Sequence, residues 1–373
     1  MTERVLTLRE LNRTLLVRQL LSRRRPLPVA RAVERLGALQ AQWSNSPYVA
    51  LWSRLDGFER DDLTRALHRR SVVKATLMRH TLHLVSGGDY LRFSEALRDS
   101  RRAWVAQRLR SEVPDLDVDA LAERVLAAVG DRPRLREEYF AVLDEQEPKR
   151  AGMAREWLLW AAIQIHGDLV HAPPSGTWNH YAKSPFFVPA RSWLRRPPRL
   201  DGDQRAHLAR RYLAAFGPAS VADLVSWAGS TASHFRPVLE ELPLRRFRDE
   251  AGRVLLDLPR ARVAAEDAPA PVRFLPKWDS ALLAHAPPER TRILPERFRK
   301  TVIRANGDVL QTVLVDGFVA ATWEIERRRD RATLVVKPLA PLPGGVRPGL
   351  EEEGERLLRF VEPEAASYSL RLG

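Results

Sequence analysis

Two glutamines, Gln40 and Gln42, lie two residues apart where a helical pattern of apolar residues ends. Residues i and i+2 share a face of an extended segment but not of a helix, so the pair can act together only if the chain is extended there. Ser44, Asn45 and Pro47 follow, and this composition favours a break in the helix. A carboxamide does not titrate, so neither side chain is a general base. Each offers donors and an acceptor, which suits holding a water molecule or reading the edge of a base.

Glutamines at the end of a helix are commonly solvated or capping residues, and the spacing alone leaves that interpretation open. The charge of the chain favours a functional interpretation. The 373 residues carry a net charge of +14, with a pI near 10.7. An excess of this sign and size is typical of proteins that bind nucleic acid. A GC-rich genome would explain the preference for arginine over lysine, but not the excess of positive charge.

Several function classes lack their signatures. With no cysteine in the chain, disulfides, thiolate metal sites and a cysteine nucleophile are excluded. The nine histidines show no ligand spacing, so we expect no metal. The motifs for ATP, dinucleotides and serine hydrolysis are missing, so we expect no cofactor. The sequence has no apolar run of about 18 residues and no signal region at its start. We therefore expect no membrane span and a cytoplasmic location. We also expect the protein to be a monomer.

The apolar periodicity predicts an α+β fold built from repeated units. Helices at 7–21, 29–39 and 48–55, with a short helix starting at residue 60, precede a predicted hairpin at 72–85, and three helices followed by a hairpin is the order of a winged helix. The same order recurs twice, with a second hairpin predicted at 167–172 and 178–182. A β-rich module, interpreted as a small barrel, completes the chain and includes a predicted strand at 301–304. The predicted domains are winged helix 1 with a long following helix (1–113), winged helix 2 (114–200), winged helix 3 (201–260) and the β-rich module (261–373).

Charged and polar side chains at predicted turns and strand ends are candidates for contact with DNA. Arg79 and His80 occupy the turn of the first hairpin, where a winged helix often touches phosphate. Lys277 and Asp279 follow a predicted strand and could line a cleft. Segments 300–312 and 323–334 are two candidate hairpins of the β-rich module that could contact the duplex. Exposed turns are normally only solvated, and that alternative stays open for each of them. The candidate set is Trp43, Asn45, Arg79, His80, Lys277, Arg304, Asn306, Arg327, Arg328 and Arg329.

Several motifs together resemble the AlkZ/YcaQ-type DNA glycosylases over nearly the whole chain. They are residues 36–43 (LGALQAQW), Ser46-Pro47, residues 76–83 (TLMRHTLH), residues 274–279 (FLPKWD), Asn306-Gly307 and residues 314–323 (LVDGFVAATW). The resemblance implies tandem winged helices in a C shape around a basic concave channel. It also implies a monofunctional glycosylase that excises N7-alkylated purines from double-stranded DNA and unhooks interstrand crosslinks. Gln40 and Gln42 match the Gln-x-Gln form of the catalytic motif, which resembles members that protect antibiotic producers from their own DNA-alkylating product.

The alternative class is a winged-helix transcriptional regulator without enzymatic activity. Such a protein is also basic, but it binds a specific sequence and leaves no abasic product. Three fused winged helices argue against it, because simple regulators usually gain their half-sites by dimerising.

Overall fold

A computed structural model describes residues 3–110, 113–147, 156–180 and 185–373, which form a mixed α+β fold with three sheets. The helices are α1 (Leu8–Arg18), α2 (Val29–Leu36), α3 (Ser46–Trp52), α4 (Arg60–His68), α5 (Gly87–Leu109), α6 (Val118–Val129), α7 (Arg136–Gln146), α8 (Trp157–His166), α9 (Ala190–Trp193), α10 (Gln204–Phe216), α11 (Val221–Ala228), α12 (Ala232–Glu241), α13 (Ser280–Leu283), α14 (Glu296–Val302) and α15 (Arg347–Val361). The strands are β1 (Val5–Leu6), β2 (Leu39–Gln40), β3 (Val72–Thr76), β4 (Leu82–Ser86), β5 (Arg134–Leu135), β6 (Leu169–Ala172), β7 (Phe186–Pro189), β8 (Arg245–Asp249), β9 (Val254–Asp257), β10 (Arg273–Leu275), β11 (Thr312–Val315), β12 (Phe318–Arg328), β13 (Arg331–Pro338) and β14 (Ser367–Leu372).

The first two predicted hairpins belong to one six-stranded sheet of order β2-β4-β3-β6-β7-β5. Lys74 of β3 pairs with His171 of β6, which joins the two hairpins. The predicted strand at 178–182 is wrong, because β6 pairs with Phe186–Pro189 instead. Residues 178–180 lie in a loop, and 181–184 fall outside the described residues. The third predicted hairpin is β8-β9, and β1 adds to it in parallel.

The C-terminal module is an open sheet of order β10-β11-β12-β13-β14, so the expectation of a barrel is wrong. Helix α15 packs on this sheet, burying Leu350 and Leu357 against residues such as Leu334. The strand predicted at 301–304 is also wrong, because residues through Val302 belong to α14. Phe298 and Val302, four residues apart, are the buried face of that helix, and this packing overrides the β-branched composition of Thr301–Ile303.

The hydrophobic cores cross the predicted domain boundaries. The largest cluster draws residues from all four predicted segments, including Leu16, Val170, Trp227 and Leu275. A second cluster joins α2 and α3 to the C-terminal sheet and α15. Strand β2, which carries Gln40, is therefore packed by segments from several of the predicted domains. The predicted domain boundaries at 113, 200 and 260 stay a prediction. Among the described residues, no helix has the length and apolar character needed to cross a membrane.

Candidate active site

The strand that carries Gln40 begins at a sharp exit from α2. Gly37 adopts φ +76°, a left-handed conformation that glycine tolerates and that ends the helix. Leu39–Gln40 then pairs antiparallel with His83–Leu84 of β4. The prediction that the chain leaves its helix at the glutamines is confirmed, but the helix predicted at 29–39 is too long, because α2 ends at Leu36 and Leu39 already belongs to β2. Strand β2 is the edge of the six-stranded sheet.

A buried ion pair and a serine hold this edge strand in place. The Oγ of Ser280 accepts a hydrogen bond from the Gln40 N–H (3.3 Å) and donates to the Ala38 carbonyl (3.1 Å). The preceding residue, Asp279, binds the Arg54 guanidinium through two bonds of 2.8 and 2.9 Å, and both side chains are fully buried. The expectation that Asp279 lines a cleft is wrong, because its carboxylate neutralises Arg54 inside the protein.

Both glutamine side chains are anchored through their oxygens. The Oε1 atom of Gln40 accepts a hydrogen bond from Nη2 of Arg79 (3.0 Å), and Oε1 of Gln42 accepts one from the backbone N–H of Leu82 (2.6 Å). Within the described part of the chain, neither side-chain NH₂ group donates a hydrogen bond. Each oxygen also keeps a second lone pair. Gln40 is only 7% exposed, whereas Gln42 is exposed. The two anchored side chains therefore place one amide inside the protein, at Gln40, and one at its surface, at Gln42.

Arg79 lies in a packed turn rather than at an exposed wing tip. The turn Met78–His80 places Arg79 at φ 53°, and the guanidinium reaches both Gln40 and the Trp227 carbonyl (2.5 Å). A Cβ on Gly229 would lie 2.6 Å from the Arg79 nitrogen, so the close approach to the end of α11 needs glycine there. Burial, with the charge of Arg290 adding to it, lowers the pKa of Arg79 to about 10, which leaves it protonated at neutral pH. The guanidinium of Arg79 was predicted to contact phosphate, whereas in the structure it donates hydrogen bonds to Gln40 and to the Trp227 carbonyl.

His80 is likewise part of the packing. Its ring stacks on Trp104, with 4.0 Å between centroids, and neither ring nitrogen has a hydrogen-bond partner among the described residues. The pKa of His80 is lowered to about 4, mainly by burial and to a smaller extent by the positive charges of Arg101 and Arg108. His83 lies opposite Gln40 in the sheet, and burial lowers its pKa to about 3. Both imidazoles are neutral at pH 7, so the cation nearest the amides is Arg79.

A second group of candidates gathers beside Trp43. The ammonium of Lys277 lies 5.9 Å from the Trp43 ring and 3.0 Å from a carboxylate oxygen of Asp308. The neighbouring Trp278 donates from its indole N–H to the Gly307 carbonyl (3.0 Å). These contacts bring the turn that holds Arg304 and Asn306 to the same side of the molecule. The structure thus groups Trp43, Lys277 and this turn, although sequence reasoning treated them separately.

The remaining candidates are Asn45 and three arginines of the C-terminal sheet. Asn45 and Asn179 exchange hydrogen bonds of 2.7 and 2.8 Å, which fixes the loop after Gln42. The sequence carried no signal for Asn179 as this partner. Arg327, Arg328 and Arg329 are exposed at the β12–β13 turn, and none of them forms an ion pair with a described residue. The structure shows no contact between these arginines and the glutamines.

The arrangement suits chemistry that needs positioning more than proton transfer. Two anchored amides and a buried guanidinium can orient a water molecule and a sugar, but no carboxylate is hydrogen-bonded to either amide among the described residues. No group of three or more potential metal ligands occurs in the described ranges. Anchored, non-titrating polar side chains in a chain with a net charge of +14 are typical of a protein that acts on nucleic acid.

Comparison with known proteins makes this class specific. The family model for AlkZ-like DNA glycosylases matches residues 33–360, and the chain belongs to this family. It is therefore a DNA glycosylase, a hydrolase. An interstrand DNA cross-link repair glycosylase from Streptomyces sahachiroi is 29% identical over 386 residues, which cover 95% of this chain and 94% of that protein. The solved structure of the Streptomyces sahachiroi DNA glycosylase AlkZ superposes with a TM-score of 0.81 at 21% identity, covering 99% of this chain and 100% of that one, and it shows the same fold.

Proposed function

We propose that this glycosylase hydrolyses the N-glycosidic bond of N7-alkylated purines in double-stranded DNA, including purines tied into interstrand crosslinks. The observation that carries the proposal is the anchoring of Gln40 and Gln42 by Arg79 and the Leu82 N–H. The name of the Streptomyces relative, a cross-link repair glycosylase, supports a bulky substrate. Self-resistance to a DNA-alkylating natural product is the role that this substrate class favours.

Such a substrate explains how two amides can suffice. Alkylation at N7 places a positive charge on the purine, which is then a good leaving group without a strong general acid. The sugar becomes similar to an oxocarbenium ion in the transition state, so catalysis depends on orienting water and stabilising charge. The free lone pair of each Oε1 can accept a hydrogen bond from the attacking water and so orient it, and the NH₂ groups can donate hydrogen bonds to the lesion nucleotide. The bond from Arg79 polarises the Gln40 amide and strengthens it as a donor.

We propose that exposed cations of the chain bind the DNA backbone. The β12–β13 turn offers Arg327, Arg328 and Arg329 to phosphate, and Lys277 with Arg304 and Asn306 lies nearer the glutamines. Trp43 and Asn45, next to the motif, would contact the nucleotides flanking the lesion. We propose that the three helix-and-hairpin units are tandem winged helices that form a C-shaped cationic channel, and that the protein acts as a monomer.

The decisive experiment measures base release from a duplex that contains one N7-methylguanine. Replacing both glutamines, Gln40→Ala with Gln42→Ala, is expected to lower single-turnover release by at least about 100-fold while leaving duplex binding within about threefold. Gln146→Ala, on α7, is the matched control and should behave as wild type. Undiminished release by the double variant would end the assignment. Binding to a specific sequence with no abasic product from the wild type would instead favour the regulator.

A further inference from the structure

A groove of about 180 Å³ opens beside the catalytic motif and is not needed for the hydrolysis described above. Three indoles line it, those of Trp43, Trp178 and Trp323, together with the side chains of Gln311 and Lys277. This volume is below the roughly 300–1,000 Å³ of pockets that enclose a drug-sized ligand, so the groove suits one small ring system rather than a whole nucleotide. Its location matters because Trp43 directly follows Gln42.

Two of the indoles are held rigidly. Trp323 donates from its indole N–H to the Leu275 carbonyl (2.9 Å) and is nearly buried. The Trp178 ring makes edge contacts with Tyr48 and Phe360, at 5.4 and 5.8 Å between centroids, and the Arg60 guanidinium lies 4.0 Å from its centroid. Trp43 differs, because it is 45% exposed. The groove thus combines two preformed aromatic surfaces with one accessible indole.

The polar side chains of the groove suit a ring with hydrogen-bonding edges. The backbone carbonyl of Gln311 accepts a hydrogen bond from the backbone N–H of Trp323 (3.2 Å), which fixes Gln311 beside the sheet. Its side-chain amide hydrogen-bonds to no described residue, so a donor and an acceptor remain for a ligand. The Lys277 ammonium is already paired with Asp308 at 3.0 Å, so the groove does not demand an anion.

We infer that this groove binds a planar aromatic ring of the damaged DNA while the glycosidic bond lies at Gln40 and Gln42. Indoles stack on flat π systems, and a single stack on a base is commonly worth about tenfold or more in binding. The ring has two sources, the aromatic part of a bulky N7 adduct or a nucleobase displaced from the duplex. This inference rests on the proposed function. If the bound ring belongs to the adduct, the inference makes N7 adducts with an aromatic group the preferred substrate class.

The test compares two lesions in the same duplex, N7-methylguanine and N7-(arylmethyl)guanine, under single-turnover conditions. The groove variants are Trp43→Leu, which keeps an apolar side chain without a ring, and Gln311→Leu. Trp43→Phe keeps a ring at the same position. Trp157→Leu is the matched control, because Trp157 is 50% exposed but lies outside the groove.

Two results support the inference and identify the ring. If it belongs to the adduct, Trp43→Leu and Gln311→Leu lower the ratio of aryl to methyl release about tenfold. If it is a nucleobase, the release rates fall alike for both lesions, and Trp43→Phe restores both. The inference is overturned if Trp43→Phe is no better than Trp43→Leu, or if the groove variants match Trp157→Leu. A wild type that releases neither base would instead refute the proposed N7-alkylpurine substrate.

Discussion

Two hairpin turns in this protein both carry an arginine with a left-handed backbone, and they differ in their surroundings. The turns after β3 and β12 each place an arginine in the left-handed region, Arg79 at φ 53° and Arg329 at φ 52°. The first turn packs against α11 and Trp104, and its guanidinium bonds to Gln40. The second extends beyond the sheet with its arginines exposed. A cationic turn therefore organises the site when another element covers it, and remains available to DNA when none does.

The largest expected effect comes from the packed turn. Arg79→Ala removes the donor that fixes Gln40 and leaves the Trp227 carbonyl unpaired, so base release should fall about 100-fold, mainly in kcat. The free energy of unfolding should fall by about 2–3 kcal/mol. Arg79→Lys keeps the charge but cannot bridge both acceptors as the planar guanidinium does.

Kinetics and urea unfolding of both variants separate positioning from packing. Arg79→Lys should recover more stability than activity. If instead activity follows stability in both variants, Arg79 serves only the packing, and the contrast between the turns loses its functional meaning.

Gly229 tests the same packing from the side of α11. Gly229 has a φ of +71°, a conformation that strains an alanine, and in Gly229→Ala the added Cβ also clashes with the backbone of Arg79. The strain and the clash both destabilise the variant. Gly252→Ala is the matched control, because its φ is +78° and no atom lies within 4 Å of the added carbon. We expect a loss of about 2–3 kcal/mol in unfolding free energy for the first and about 1 kcal/mol for the second. Only Gly229→Ala should also slow base release, and equal losses in the two variants would contradict the close approach.

The exposed turn should respond in the opposite way. Replacing Arg327, Arg328 and Arg329 by glutamine should leave the unfolding free energy within about 0.5 kcal/mol. Duplex affinity should fall, and the slope of log K against log salt should decrease by up to about 2.7 if all three contact phosphate. The control changes the same charge elsewhere, at the exposed Arg195, Arg196 and Arg199. If both triple variants reduce the salt slope equally, the turn contributes only net charge.

The sequence predicted the local features of this site better than its assembly. The end of the apolar helical pattern, followed by Ser44, Asn45 and Pro47, sufficed to predict that the chain leaves its helix near Gln40, and the β-rich run at 72–85 sufficed to predict the first hairpin. The predicted helix at 29–39 nevertheless extended three residues too far, because Gly37 ends α2 after Leu36. The partner of Gln40 was not predictable, because Arg79 lies 39 residues away and its charge is equally suited to solvent. Asp279 shows the same limit, since its partner Arg54 is 225 residues distant. Contacts of this kind depend on how the elements pack, and spacing patterns carry no signal for them.

The errors of prediction have a physical cause in common. Strands were predicted at 178–182 and 301–304, yet the described residues 178–180 and residues 301–304 form no strand. In the first case β6 pairs with Phe186–Pro189, and in the second the i, i+4 pair Phe298 and Val302 is buried in a helix. β-propensity measures how well a side chain fits a pleated, half-buried surface, so it fails where tertiary packing supplies a different surface.

The smallest effect concerns His80, the titratable histidine of the packed turn. Its folded pKa of about 4 lies below the ordinary value of 6.5, because burial disfavours the imidazolium. As pH falls, the unfolded chain takes up the proton first, so stability is constant above about pH 6.5 and decreases between pH 6.5 and 4. His80→Phe retains a ring to stack on Trp104 but removes this titration. Urea unfolding at several pH values should therefore show a shallower loss of stability in the variant. His83, with a pKa of about 3, still contributes to the remaining slope. An unchanged slope would mean that the His80 ring is hydrated in solution, and that the first turn is more open, and more like the second, than its packing implies.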